Sequence, residues 1–275
     1  MNALTMVALK EWADKIHNRW FQVQAVALEV FLLVLVLGGN RILGGSGFSN
    51  LAAAAGNVVS LEVYFIPMMA LTMGYDSVCG EREQGTLGLI LSYPVARWQL
   101  WVGKYLGTGA ALLMTLLGTY LLTGAIMLMD PVIPPLEWGS LWPLVFSSLG
   151  LALAFLAIAM GLSTIVTQRA HAISGAVLVW MVSVFIWDLG LMGAVMTLEN
   201  QGWPAAILNG WITAAMLLNP VDTFRAFNLA AMPQLSVLAG SVHGSVGAGA
   251  YLLALALWVG VPIIASLAAF HRTEI

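Results

Sequence analysis

Three charged residues, Glu81, Arg82 and Glu83, stand side by side in CGEREQGTL (residues 79–87), in a chain of 275 residues of which only 8% are charged. Carboxylates next to a guanidinium do ion-pair chemistry. They make charge-assisted hydrogen bonds, shorter and stronger than neutral ones, inside a chain or across an interface. On a helix Glu81 and Glu83 diverge by about 200°, so a single partner cannot engage both. Gly80 and Gly85 bracket the set and permit sharp bends. Downstream, Tyr93-Pro94 breaks the chain again, and Pro94 can open a further helix that carries Arg97 and Lys104. The stretch reads as a short surface helix with charges available to the membrane side and to an external partner.

Other residues with chemical potential sit in apolar surroundings. Glu29, Glu62 and Asp188 interrupt hydrophobic runs. A charge at the bilayer centre costs about 2.5–3.5 kcal/mol on insertion scales, so such residues face a bundle interior or a wet cavity. Glu62 and Asp188 are the pathway candidates, with snorkelling to the outer surface as the plainer account of Glu62. Met68, Met69 and Met73 cluster. Thioethers suit Cu(I), which adds Met69 and Met73 to the pathway set, although methionine also serves as flexible filler between helices. His17, His171, His243 and His271 are scattered without ligand spacing, and Cys79 is the one cysteine. No metal site, disulfide or bound cofactor is therefore expected on this chain.

The elements that must position these residues are helices. At 60% hydrophobic residues the composition is that of a membrane protein, and lipid requires every backbone polar group to be satisfied internally. Six segments are long and apolar enough to cross: Trp20–Leu37, Asn57–Val78, Leu100–Met129, Leu141–Val166, Ala172–Leu198 and Ala248–Phe270. With the N-terminus inside, the inner segments carry Lys10, Lys15, Arg19, Arg82, Arg97, Lys104, Arg169 and Arg272, against Arg41 and Arg225 outside. That bias puts both termini in the cytoplasm. Asp130, Glu137, Glu199 and Asp222 fall outside. Before the first span, Leu4, Ala8, Trp12 and Ile16 recur every four residues opposite Lys10, Asp14, His17 and Asn18. This predicts an amphipathic helix on the inner membrane surface, an anchor or a lever.

The 38–56 loop is glycine-rich and expected to be irregular. Residues 207–218 (ILNGWITAAMLL) are too short to cross. A new helix follows, with Asn219 as N-cap, Pro220 at its first position, Asp222 where a capping-box carboxylate belongs, and Met232-Pro233 ending it. No basic-aromatic patch points to nucleic acid. No G-x-x-x-x-G-K-[ST] loop is present, because Gly103-Lys104 is followed by Tyr105 and lacks the upstream glycine. The chain is thus expected to be non-catalytic, unable to hydrolyse ATP alone.

Taken together, the N-terminal helix, the six spans and GEREQGTLGLILSYPVARWQLWVGK resemble the permease subunits of type-2 ABC transporters. The opening ALKEWADKIHNRW, the GYDSVCGERE junction and LLNPVDTFRAFNL are similar to the branch that matures the copper–sulfide centre of nitrous oxide reductase. The resemblance implies that Glu81, Arg82, Glu83, Gly85, Thr86, Pro94, Val95, Arg97, Gly103 and Lys104 form the segment contacting the ATPase. It implies a homodimer in the bacterial inner membrane with two cytoplasmic ABC ATPases, which bind ATP and Mg, and a periplasmic β-helix accessory protein. Asn219, Asp222 and Arg225 are then expected to dock that accessory protein. The expected fold is an all-α membrane protein with six transmembrane helices and both termini cytoplasmic. It forms one permease domain over 1–275, with an elbow helix at 1–19, a coupling segment at 79–99 and a periplasmic helical segment at 199–245. The cargo stays open: a sulfur species, copper, or only force. An exporter of a drug, lipid or polysaccharide, and a non-transporting membrane scaffold, are the rival readings.

Overall fold

The computed structural model describes residues 2–35, 51–129, 142–232 and 246–272. Arg41, Asp130, Glu137, Pro233, His243 and most of the 38–56 loop lie outside them. The described chain is helical throughout. In order it runs α1 (Ala3–Ile16), α2 (Arg19–Leu33), α3 (Leu51–Gly74), α4 (Cys79–Glu83), α5 (Thr86–Leu91), α6 (Arg97–Met129) and α7 (Trp142–Ile165). It continues through α8 (Arg169–Met181), a π-helical turn (Val182–Ile186), α9 (Trp187–Asn200), α10 (Ala205–Leu217), α11 (Pro220–Ala231) and α12 (Ala248–Arg272).

Among the described residues, five helices are long and apolar enough to cross a membrane: Ala55–Glu83, Arg97–Ile126, Trp142–Ile165, Arg169–Asn200 and Ala248–Arg272. The sixth expected span is not among them. Its helix, α2, covers 15 residues before it runs towards the end of the described segment, and Gln22, Gln24 and Glu29 dilute its apolar character. As expected from its length, α10 is a short apolar helix of 13 residues.

At the centre stands α7. It is apolar on every side, and such a helix is stable only when surrounded. Leu151, Ala152, Phe155, Leu156, Ala159 and Met160 are fully buried. Small residues set its spacing: a side chain on Gly150 would strike Leu255 of α12, and one on Gly74 would strike Ala159. Around it pack α3, α6, α11 and α12. The α8–α9 span is mostly exposed instead, with Val177, Leu178, Ile186, Leu189 and Met192 on its outer face.

Helix α6, at 33 residues, is about 50 Å long at 1.5 Å per residue, more than the roughly 30 Å of hydrocarbon it has to cross. The surplus lets its first turns project past the core. It starts at Arg97, where the Gln99 side chain accepts a hydrogen bond from the Ala96 amide at 3.1 Å, half of a capping box. Pro94 therefore does not open this helix. It lies in the turn that precedes it.

Candidate functional site

Of the basic residues expected on the inner face, Arg82, Lys104 and Arg169 meet at the α4 turn, and there the charge set is built. Two serine-like bonds fix α4: the amides of Val78 and Cys79 both donate to Ser163 Oγ, at 2.9 and 3.0 Å, so the last turn of α7 opens α4. Gly80 is needed for a different reason than bending. A Cβ there would lie 2.8 Å from a terminal nitrogen of Arg169, whose guanidinium crosses this helix. Gly85 does provide the bend, with φ +70°, and starts α5.

From that turn the three charges go separate ways, as their angular spacing requires. Glu81 Oε1 sits 2.7 Å from Lys104 Nζ on α6, and Lys104 also pairs closely with Glu11 of α1. Lys104 and Glu11 are 3% and 8% exposed, so this is a buried triad of two carboxylates and one ammonium. Arg82 donates to the carbonyls of Val166 and Thr164, at 3.1 and 3.3 Å, satisfying acceptors that α7 leaves open at its C-terminus. Glu83 Oε2 accepts from the amide of Arg169, the first residue of α8, at 2.8 Å. A carboxylate there also complements the positive end of the helix.

The charges were expected to be free for the membrane side and an external partner. The structure corrects this, because each finds a partner in the same chain: Lys104 for Glu81, and helix ends for Arg82 and Glu83. What remains exposed beside them is Glu83, Gln84 and Gly85 on one strand of the turn, with Thr167 and Gln168 on the other. Thr86 ties the turn to itself by donating to the Glu81 carbonyl at 3.2 Å. Arg97 reaches the carbonyls of Phe270 and His271 at the end of α12, both at 3.4 Å.

The N-terminal helix is part of this site. It does not simply lie on a surface: Gly103 and Gly107, four apart on α6, let it approach until added Cβ atoms would meet Val7 at 2.9 Å and the Ala8 carbonyl at 2.3 Å. Small residues at this spacing are the usual way to bring two membrane helices together. Lys15 adds a second tie, donating to the Met73 carbonyl at 2.6 Å, with Asp76 at 3.5 Å. Sequence reasoning overlooked Glu11 and Ser163. The signal for Glu11 was present, since it follows Leu4 and Ala8 on the apolar stripe and an acid there demands a buried cation.

The pathway candidates are placed apart. Glu62 is 1% exposed, contacting the Tyr120 hydroxyl, with Ser148 Oγ at 2.6 Å. It is clasped between α3, α6 and α7 and does not snorkel. Met69 and Met73 are packed in the hydrophobic core. Asp188 instead accepts from Arg225 at 2.7 Å, beside Asp222 at 3.1 Å from the same nitrogen. This group borders a cleft of about 470 Å³ that is also lined by Met192, Met196 and Met216. The thioethers next to a cavity are thus not the ones the sequence singled out. Among the described residues no group of three or more His, Cys, Asp and Glu is arranged to hold a metal ion.

Asn219 caps α11 as expected, its Oδ1 accepting from the Val221 amide at 3.2 Å. Its Nδ2 donates to the Ser183 carbonyl at 2.8 Å, inside the π-helical turn, where the i→i−4 ladder is interrupted. Asp222 accepts from that same side-chain amide at 3.3 Å, in place of the backbone of a capping box. Burial, and then the neighbouring Asp188, push the Asp222 carboxyl up to about 6, against Arg225 and Asn219. The docking surface expected at Asn219 and Asp222 is therefore largely internal. Both are buried, as is Asn228, which donates to Ser147 of α7 at 2.9 Å. The helix is amphipathic, and its polar groups find partners inside the bundle.

The described chain is an all-helical bundle with five helices long and apolar enough to cross a membrane. Its N-terminal helix is packed on α6 and tied through Lys104 to the charged turn at the end of the first of the five, an arrangement suited to the membrane subunit of a transporter. The chain belongs to the ABC-2 transporter family, whose model, described as "ABC-2 family transporter protein", matches residues 5–275. It is similar along its whole length to two proteins described as "Probable ABC transporter permease protein NosY". One, from Pseudomonas aeruginosa, is 34% identical over 282 residues, covering 100% of both chains. The other, from Stutzerimonas stutzeri, is 32% identical over 288 residues, covering 99% of both. It is an ABC transporter permease.

Proposed function

We propose that this permease serves the transporter that matures the copper–sulfide centre of nitrous oxide reductase, in the bacterial inner membrane. The observation that carries the proposal is full-length similarity to two permeases named NosY. The permease works as a homodimer with two ABC ATPases and a periplasmic β-helix protein, and ATP is hydrolysed on the ATPase subunits. It moves a sulfur species or copper, or passes force to the periplasmic partner. The exposed face of α8 and α9 suits a second copy, since so wide an apolar face needs lipid or protein against it. The ATPase reads the exposed turn at Glu83, Gln84 and Gly85, while Glu81, Arg82 and Lys104 carry its motion inward.

The test is purification of the tagged chain from its native membrane in mild detergent, with mass spectrometry of what accompanies it. An ABC ATPase and a β-helix periplasmic protein are expected. In a strain lacking the chain, nitrous oxide reductase is expected to lack its copper–sulfide centre. A fully assembled reductase in that strain overturns the maturation reading and leaves a general exporter in its place.

A further inference from the structure

The three consecutive charges divide their attachments between two bodies. Glu81 holds Lys104 on α6 at 2.7 Å. Arg82 and Glu83 hold the end of α7 and the start of α8. The glycine seam joins α1 to α6, so Glu11 and Lys104 belong to one body and Glu81 to the turn between the two.

A buried ion triad is a poor way to gain stability. Desolvation offsets most of the attraction, and neutral side chains of similar size pack as well or better. Packing alone therefore does not account for its presence. The arrangement is also lopsided. Lys104 has two acceptors, whereas Glu81 Oε2 is buried without a partner, so Glu81 is the more weakly held end. If the turn shifts and Glu81 withdraws, Glu11 still compensates the ammonium. Without Glu11, that withdrawal would strand a buried charge, and losing one partner of a buried pair is strongly unfavourable.

We infer that Glu11, Lys104 and Glu81 form a releasable joint that carries displacement of the α4 turn into α1 and α6, with Glu11 as the positioning residue that makes release reversible. This rests on the reading of the chain as an ATPase-driven permease. Glu81 is the moving contact, Lys104 the receiver and Glu11 the standby partner.

The test uses the permease–ATPase complex in nanodiscs. The neutral triple variant Glu11→Gln, Lys104→Met, Glu81→Gln removes every charge of the joint while keeping its volume. It is expected to match the parent in membrane level and in co-purified ATPase. Its permease-dependent stimulation of ATP hydrolysis is expected to fall about fivefold or more, the lower end of coupling between two sites. Parental stimulation in the triple variant overturns the inference. Should the triple variant not accumulate, Glu11→Gln alone decides: reduced stimulation at parental assembly supports the joint, and unchanged stimulation refutes it. A tagged parent that co-purifies with no ATPase overturns the ATPase-driven reading and the joint with it, whereas a coupled parent with a coupled variant overturns the joint alone.

Discussion

Two glycines five residues apart show how differently the same residue type is used. Gly85 adopts φ +70° with open space around it, and a side chain there costs about 1–2 kcal/mol in backbone strain. Gly80 has ordinary helical geometry but faces the Arg169 guanidinium, the far end of a flexible chain that can step aside. Gly85→Ala is therefore expected to lower the melting temperature in detergent more than Gly80→Ala. Equal melting temperatures would mean that the turn at Gly85 is not held in this form. Asp222 gives a second residue-level expectation. Its carboxyl is raised from 3.8 to about 6 in the fold, so the folded state binds a proton more readily than the unfolded one. The contribution of Asp222 to stability is then greatest at low pH and falls as pH rises between about 4 and about 6. Asp222→Asn keeps the side-chain shape and one acceptor oxygen for Asn219 or Arg225 but cannot ionise, and is expected to flatten that slope, measured as melting temperature against pH. The sequence announced that Glu81, Arg82 and Glu83 matter, because charge inside an oily chain must be satisfied. It did not announce the partners of Arg82 and Glu83, because helix ends more than 80 residues away are invisible to local pattern.

Helices were legible and their packing was not. Length and hydropathy placed five of the six expected spans, and the Asn219-Pro220 start of α11 was read correctly from cap chemistry alone. The amphipathic stripe Leu4, Ala8, Trp12, Ile16 foretold α1, but periodicity names a buried face without saying what covers it. Lipid was the natural guess, and α6 is the answer. The Gly103–Gly107 pair was the clue, but Gly103 was assigned through the family resemblance to the segment contacting the ATPase, and its spacing from Gly107 was not weighed. Since a Cβ at Gly107 would collide with the Ala8 backbone and one at Gly103 chiefly with the Val7 side chain, Gly107→Ala is expected to be the more damaging. Limited proteolysis within α1, read as a rate of cleavage after Lys10 or Lys15, should rise more in Gly107→Ala than in Gly103→Ala. The reverse order would show that α1 does not meet α6 along this seam.

At the scale of the molecule, orientation was read from the excess of Lys and Arg in the inner segments over Arg41 and Arg225 in the outer ones. Reporter fusions at Thr167 are expected to read cytoplasmic and those at Gln201, in the turn ending α9, periplasmic. The opposite pattern would invert the protein and remove the α4 turn from any cytosolic ATPase. The seam between α1 and α6 also sets a timetable. Residues 3–16 leave the ribosome nearly a hundred residues before their partner surface does, a delay of about 5–20 s at about 5–20 residues per second. Throughout that interval Glu11 has no Lys104, and the face destined for Gly103 and Gly107 rests on lipid headgroups. The helix thus begins as a peripheral segment and becomes an internal one only when α6, the second of the long helices, arrives, so a bulky N-terminal fusion that slows this late docking should be felt as slow maturation of the chain rather than as failure to insert.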